Sequence, residues 1–269
     1  MSSLLKRNRF LIPRRITQVT LLLLFIGANF YGWKIIQGNY SAAYIFESFY
    51  LADPFAVLQM LAAGLILNID VLIGALIILV LYGLLFGRSF CSWICPVNIV
   101  SDFAHFIRRK LQMNKVDEKM PFKRSTRYWI LLLSLVVSAF SGVAAFEFVS
   151  PVSMLHRGII FGFGFGIAAV FMVFLFDVFV LRNGWCGYIC PLGAFYSFVS
   201  KFSFLRVNHI KDNCTMCGNC FSVCPEKQVL SIIDKQSGSI PNSECTICGR
   251  CVEVCDDDAL HFGKFTKLK

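Results

Sequence analysis

Eight of the twelve cysteines in this 269-residue chain fall between residues 214 and 255, in two copies of one spacing. Cys214, Cys217, Cys220 and Cys224 form C-x2-C-x2-C-x3-C, closed by Pro225. Cys245, Cys248, Cys251 and Cys255 repeat it, with Asp256 in the proline's place. Such a register wraps a chain around two [4Fe–4S] clusters, and in two-cluster ferredoxins the fourth cysteine of each motif ligates the other cluster. Cluster I then takes Cys214, Cys217, Cys220 and Cys255, and cluster II takes Cys245, Cys248, Cys251 and Cys224. The crossing staples together a domain too small to rely on its core. A four-cysteine zinc site competes with this reading, but three close cysteines with a remote fourth suit a cubane better. The run Asp256–Asp258 beside Cys255 either disfavours an added electron on cluster I or is only a solvated face.

Upstream the chain is of another kind. The whole is 57% hydrophobic, and only 16% of it is charged, against about 25% in an ordinary soluble domain. Four apolar runs account for the excess: Ile16–Ile36, Val71–Gly87, Trp129–Val149 and Phe161–Leu181. Each is near the ~20 residues that cross a ~30 Å hydrocarbon core as a helix. The first lacks a small-x-small cleavage site and is expected to be a retained anchor.

Residues 1–210 carry 19 basic and 8 acidic side chains, while 211–269 are near neutral with 7 and 8. No groove-reading motif accompanies the surplus, so a nucleic-acid partner is not expected. The basic residues sit instead in short flanks: Lys6, Arg7, Arg9, Arg14 and Arg15 before the first run, and Arg88, Arg108, Arg109, Lys110, Lys115, Lys119, Lys123, Arg124 and Arg127 between the second and third. The positive-inside rule puts both termini and the cysteine-rich domain in the cytoplasm. The need for reduced thiols points the same way.

The apolar part is a repeat. Asp53-Pro54 and its sequel resemble Ser150-Pro151, and Phe90-Cys91-Ser92-Trp93-Ile94-Cys95-Pro96 resembles Trp185-Cys186-Gly187-Tyr188-Ile189-Cys190-Pro191. Each half reads as helix, outer loop, helix, C-x3-C-P, which implies parallel repeats about an axis along the membrane normal. The expected divisions are a first membrane repeat at 1–110, a second at 111–205 and a ferredoxin domain at 206–269. The fold class is mainly α, a four-helix transmembrane bundle with an α+β two-cluster ferredoxin domain.

Cys91 and Cys95 share a helix face, as do Cys186 and Cys190. Symmetry can bring the four together as a third iron–sulfur centre; redox-active thiols and inert packing are the other readings. Amphipathic Asp102–Leu111 is expected at the cytoplasmic interface, its arginines toward headgroups. Tyr31, Trp33, Tyr40, Tyr44 and Tyr50 read as an interfacial belt. Ionisable groups near a span are functional candidates: Asp70, Asp177, Glu47, Gln59, Glu147, His156 and Arg157. Quinol oxidation needs an apolar cleft, partners for ring oxygens and a proton acceptor, and Glu147 and His156 are the leading pair for an outer-face site.

Taken together, Gly38-Asn39-Tyr40-Ser41, Asp53-Pro54, Phe90-Cys91-Ser92-Trp93-x-Cys95-Pro96, Ser150-Pro151-Val152-Ser153, Gly184-Trp185-Cys186-Gly187-x-x-Cys190-Pro191-x-Gly193-Ala194 and the tandem cysteine motifs resemble the NapH family over nearly the whole chain. The resemblance implies a four-span protein of the bacterial inner membrane with a cytoplasmic two-cluster domain. It implies a periplasmic four-cluster partner of NapG type, oxidation of quinol (menaquinol or ubiquinol) from the membrane pool, and electron delivery to periplasmic nitrate reductase or its cytochrome c subunits. A cytoplasm-facing metal-handling or assembly reductase for a respiratory metalloenzyme is the alternative.

Overall fold

The computed structural model describes residues 8–111, 123–161, 164–240 and 243–265. Lys6, Arg7, Lys115 and Lys119, counted above for orientation, lie outside the described residues. Helix α1 (Leu11–Tyr31) leads into strands β1 (Ile36–Gly38), β2 (Ala42–Ile45) and β3 (Phe49–Ala52), then short helix α2 (Pro54–Ala62). Helix α3 (Ile69–Val80) continues through a π turn (Leu81–Phe86) and a 3-10 turn (Gly87–Ser89) into α4 (Phe90–Trp93). Beyond Pro96 come α5 (Val97–Lys110), α6 (Thr126–Ser141), α7 (Ala145–Val149), α8 (Pro151–Phe161) and α9 (Phe165–Leu175). Two π turns (Phe176–Val180, Trp185–Ile189) precede α10 (Pro191–Val199). The C-terminal part holds β4 (Leu205–His209), α11 (Asn219–Val223), β5 (Gly238–Ser239), α12 (Arg250–Glu253) and β6 (Leu260–Lys264).

Contacts divide the chain into two units. One comprises Met1–Gln18, Leu81–Ile94 and Tyr196–Lys269, and the other Val19–Val80 and Cys95–Phe195. In the first, β4 is the centre of an antiparallel sheet of order β5-β4-β6, with β4 and β6 in register from Leu205↔Lys264 to His209↔Leu260. Its core packs Val207, Val229, Leu230, Ile240 and Leu260 around Cys220, Cys224 and Cys251. A small sheet thus supplies the apolar wall against which the cysteine loops fold.

In the second unit, β1, β2 and β3 form an antiparallel meander. The Asn39 side chain fixes its first turn by accepting from the Ser41 and Ala42 amides at 2.9 Å each. The repeat reaches the backbone. Asp53 (φ −68, ψ 121) and Ser150 (φ −67, ψ 120) adopt the same extended conformation ahead of a helix opened by proline. Asp53 caps α2 by accepting from the Ala56 amide at 3.3 Å, and Pro54 gives up only an amide that the first turn leaves unpaired anyway.

The four-span expectation holds only in part. Among the described residues two helices are long and apolar enough to cross a membrane, Leu11–Tyr31 and the continuous Ile69–Trp93. The third run is split: α6 ends at Gly142, in the left-handed region (φ 69), and α7 starts afresh. Sixteen residues reach only about 24 Å at 1.5 Å each. The fourth run begins its helix at Phe165 after extended Gly164 and ends in π-helical geometry. The first run stops early for a similar reason, since Gly32 takes φ 67 and Ile36 passes into β1.

Four of the flanking arginines are buried. Arg14, Arg88, Arg108 and Arg127 are each at most 1% exposed. Arg108 does not face headgroups; it donates to the carbonyls of Asp177 (3.3 Å) and Val178 (2.9 Å). A planar guanidinium with five donors suits the task of satisfying carbonyls that irregular helix turns leave over.

Candidate iron–sulfur and quinol sites

The two cysteine loops share one backbone. Met216 (φ 57) matches Ile247 (φ 52), and Gly218 (φ 73) matches Gly249 (φ 76). Each loop then enters a short helix, α11 or α12, which carries its third cysteine. Left-handed positions in such a loop can turn backbone amides toward one concave side, where negative charge is stabilised. For a β-branched residue such as Ile247 this conformation is strained, and it persists because the surroundings fix it.

The loops place their cysteines around two hollows. A cavity of about 300 Å³ is lined by Cys214, Cys217, Cys220 and Cys255, with His209, Asp234 and Asp257 at its walls. A second is lined by Cys224, Cys245, Cys248 and Cys251, with Val207, Pro225 and Glu226. Burial, then mutual repulsion, raises the thiols: Cys245 is pushed up to about 12, and Cys224 and Cys251 stand well above the ordinary range. Such groups become thiolates when cations bind among them. Among the described residues no three His, Cys, Asp or Glu side chains converge on a single-ion point. Four thiols standing around a hollow fit a cluster that offers an iron to each.

The two sites differ in cover. Cys217 is exposed and Cys248 buried. A Cβ on Gly218 would meet nothing within 4 Å, whereas one on Gly249 would lie 2.6 Å from the Phe10 ring. The Phe10 and Leu11 amides both donate to buried Glu253, the latter at 2.7 Å. The first C-x3-C-P segment also bonds to the second loop: Ser92 Oγ donates to the Thr246 carbonyl at 2.7 Å and Trp93 Nε1 to that of Ile247 at 3.1 Å. Arg14 bridges the Ser92 (3.0 Å) and Cys248 (3.5 Å) carbonyls.

Of the C-x3-C-P cysteines, Cys91 belongs to this unit, and Cys95, Cys186 and Cys190 to the other. Asp177, a functional candidate in the sequence, is buried and caps the π turn that carries Cys186 by accepting from the Trp185 amide at 3.0 Å. Cys186 Sγ is 3.7 Å from Ser101 Oγ, and Cys190 Sγ accepts from the Gly193 amide at 3.4 Å.

In the same unit His156 is 5% exposed and packs edge-on against Phe25 (5.4 Å) and Tyr40 (6.0 Å). Burial, reinforced by Arg157, lowers its pKa. Neither His156 Nε2 nor the Tyr40 hydroxyl has a hydrogen-bond partner among the described residues. Burial raises the Tyr40 pKa, with a smaller contribution from Cys95. Glu147 accepts from Ser41 (2.6 Å) and Ser153 (2.8 Å). Gln59 is fully buried and accepts from the Phe146 amide at 2.9 Å. Glu47 pairs with Lys34 at the surface, and Asp70 is exposed in the first turn of α3. Tyr40 joins His156 only in the fold, since nothing in Asn39-Tyr40-Ser41 points to an imidazole so far along the chain. For Arg206, which lies beside Cys245, the sequence offers no signal.

A 4Fe-4S binding domain family matches the chain twice, at residues 67–114 and 162–209, and a 4Fe-4S dicluster domain family matches 206–256. The methylamine utilization ferredoxin-type protein MauN of Methylorubrum extorquens is 42% identical over 88% of this chain and 82% of its own length. The ferredoxin-type protein NapH of Escherichia coli is 39% identical over 86% and 81%, and that of Haemophilus influenzae 39% over 83% and 77%. The chain belongs to the NapH/MauN family of ferredoxin-type proteins. No solved structure matches it. The two 4Fe-4S binding matches each span one C-x3-C-P motif, Cys91–Cys95 in the first and Cys186–Cys190 in the second. As in NapH and MauN by name, the plan is that of a ferredoxin-type electron carrier.

Proposed function

We propose that this chain is a membrane-embedded iron–sulfur protein that oxidises quinol, menaquinol or ubiquinol, with a NapG-like periplasmic partner, and supplies electrons to periplasmic nitrate reductase or its cytochrome c subunits. The observation that carries the reading is the pair of four-cysteine hollows in one unit. Cys214, Cys217, Cys220 and Cys255 hold cluster I, and Cys224, Cys245, Cys248 and Cys251 hold cluster II. Bound there, [4Fe–4S] clusters supply one-electron transfer.

Uncovered apolar surface supports a membrane setting. Only 17% of the most apolar stretch of Ile69–Trp93 is buried, and Leu76, Leu133, Phe140 and Met172 are exposed. A soluble protein rarely leaves so much apolar surface bare. We read the shorter helices α6 and α9 as crossing with the two long ones, both termini and the ferredoxin domain being cytoplasmic. Membrane repeats at 1–110 and 111–205 and a domain from 206 complete the plan.

For quinol, His156 and Tyr40 present a ring nitrogen and a hydroxyl for the ring oxygens, with Glu147 as the further candidate of the outer-face site. The Phe55 ring, in the expected outer loop, lies 5.5 Å from that of Phe195, just past Cys190-Pro191. The outer-loop helix therefore approaches the segment that follows Cys190-Pro191. Similarity to MauN favours a second reading, in which the same electron carrier serves methylamine utilization.

The test is anaerobic purification with the partner subunit, followed by addition of menaquinol. Wild type should bleach in its visible iron–sulfur absorption, while His156→Ala should bleach only with dithionite. Bleaching of His156→Ala by menaquinol at the wild-type rate removes the quinol assignment. Copper bound stoichiometrically without quinol reactivity turns the reading toward metal handling. For the ligand sets, Cys224→Ala should lose the same EPR signal as Cys245→Ala.

A further inference from the structure

Cys245 and Arg206 face one small cavity, walled also by Arg88, Ser200 and Ser243. Arg206 is buried, and its hydrogens go to four carbonyls: Lys201 (2.9 Å), Ser200 (3.2 Å), Ser203 and Ile240 (3.3 Å each). Among the described residues none of its partners is a carboxylate. Carbonyl dipoles satisfy a guanidinium without cancelling its charge. Arg88 is different, because buried Glu226 lies 3.4 Å from it. The other cysteine hollow has acidic neighbours, Asp234 and Asp257, and an exposed Cys217.

An electron added among four thiolates increases a charge that is already negative. Water eases that increase at an exposed site, and at a buried one protein charges must do so. The site of Cys224, Cys245, Cys248 and Cys251 is the buried one. We propose that Arg206 sets the reduction potential of this site, as a buried cation, with no carboxylate among its hydrogen-bond partners, that accommodates the added electron. The proposal rests on the two-cluster reading above. The step is the gain of one electron from an added reductant, with no bond made or broken.

The experiment is an EPR-monitored redox titration, with dithionite as reductant, of the full chain in detergent with its clusters reconstituted anaerobically. In Arg206→Met one midpoint should move to lower potential and the other stay in place. In Arg206→Lys, which keeps the charge, the displaced midpoint should return most of the way. If both midpoints are unmoved in Arg206→Met, or both move alike, the proposal is overturned. If Arg206→Met loses iron, Arg206→Lys decides: retained iron with a near wild-type midpoint supports the charge role, and the same iron loss shows a packing residue instead. A wild type with one reducible centre fails the two-cluster reading itself, and the proposal with it.

Discussion

The indole of Trp93 donates to the carbonyl of Ile247 at 3.1 Å, tying the residue between Cys91 and Cys95 to the strained residue between Cys245 and Cys248. A helix-end segment and a cysteine loop, 154 residues apart, are thus one piece of structure. Trp93→Phe keeps the ring and removes the bond. We expect a loss of about 0.5–1.5 kcal/mol, read as faster amide exchange confined to residues 245–251 and to the end of α4.

The two loop glycines should respond unequally to alanine. Both have positive φ, which costs a Cβ-bearing residue roughly 1–2 kcal/mol. Gly249→Ala must also displace Phe10, whereas Gly218→Ala meets open space. Thermal unfolding should show the larger drop for Gly249→Ala; an equal drop would mean that Phe10 yields freely.

Glu253 acts as a remote cap for α1, accepting two amides near its start while also pairing with Arg250. Carboxylates favour helix N-termini through both hydrogen bonding and the helix dipole. Glu253→Gln should cost about 1–2 kcal/mol and expose residues 8–14 to proteolysis, with the rest of α1 unaffected.

Arg88 and Glu226 form an ion pair with both side chains at most 3% exposed. Removing one partner of a buried pair costs roughly 3–5 kcal/mol, and removing both costs far less. Arg88→Met should therefore unfold at lower denaturant than Arg88→Met/Glu226→Leu. The cycle is read from chemical denaturation.

His156 gives a pH dependence. Its folded pKa lies below the unfolded value of about 6.5, so the unfolded chain binds the proton more readily. The stabilisation is complete above about pH 6.5 and is lost as pH falls through the lower folded value. The unfolding midpoint should drop between about pH 7 and pH 5, and His156→Phe should flatten the profile.

Much of this architecture is legible in the sequence where the signal is local. Cysteine spacing marks the ferredoxin part because each loop is built from seven consecutive residues, 214–220 and 245–251. The repeat is legible because proline and its preceding residue fix the backbone at Asp53 and Ser150. What escapes is long-range. Arginines at helix flanks look alike in sequence, and nothing local distinguishes Arg9, beside a chain end, from Arg108, buried against carbonyls 70 residues away. Hydropathy also passes over Gly142, which breaks the third run without making it less apolar. The meander at 36–52 is hidden because its first strand takes the last residue of an apolar run.

The unequal cover of the cysteine loops bears on how a duplication ages. Two copies of one seven-residue loop began with the same requirements and still share their dihedral angles. One is now clasped by Phe10, Trp93 and Arg14, so a change there must be matched at three distant positions. The other answers mainly to itself and can drift, provided its cysteines and its one glycine stay. Among homologous chains, variation should therefore accumulate on the Met216 side of the pair while the Ile247 side stays fixed.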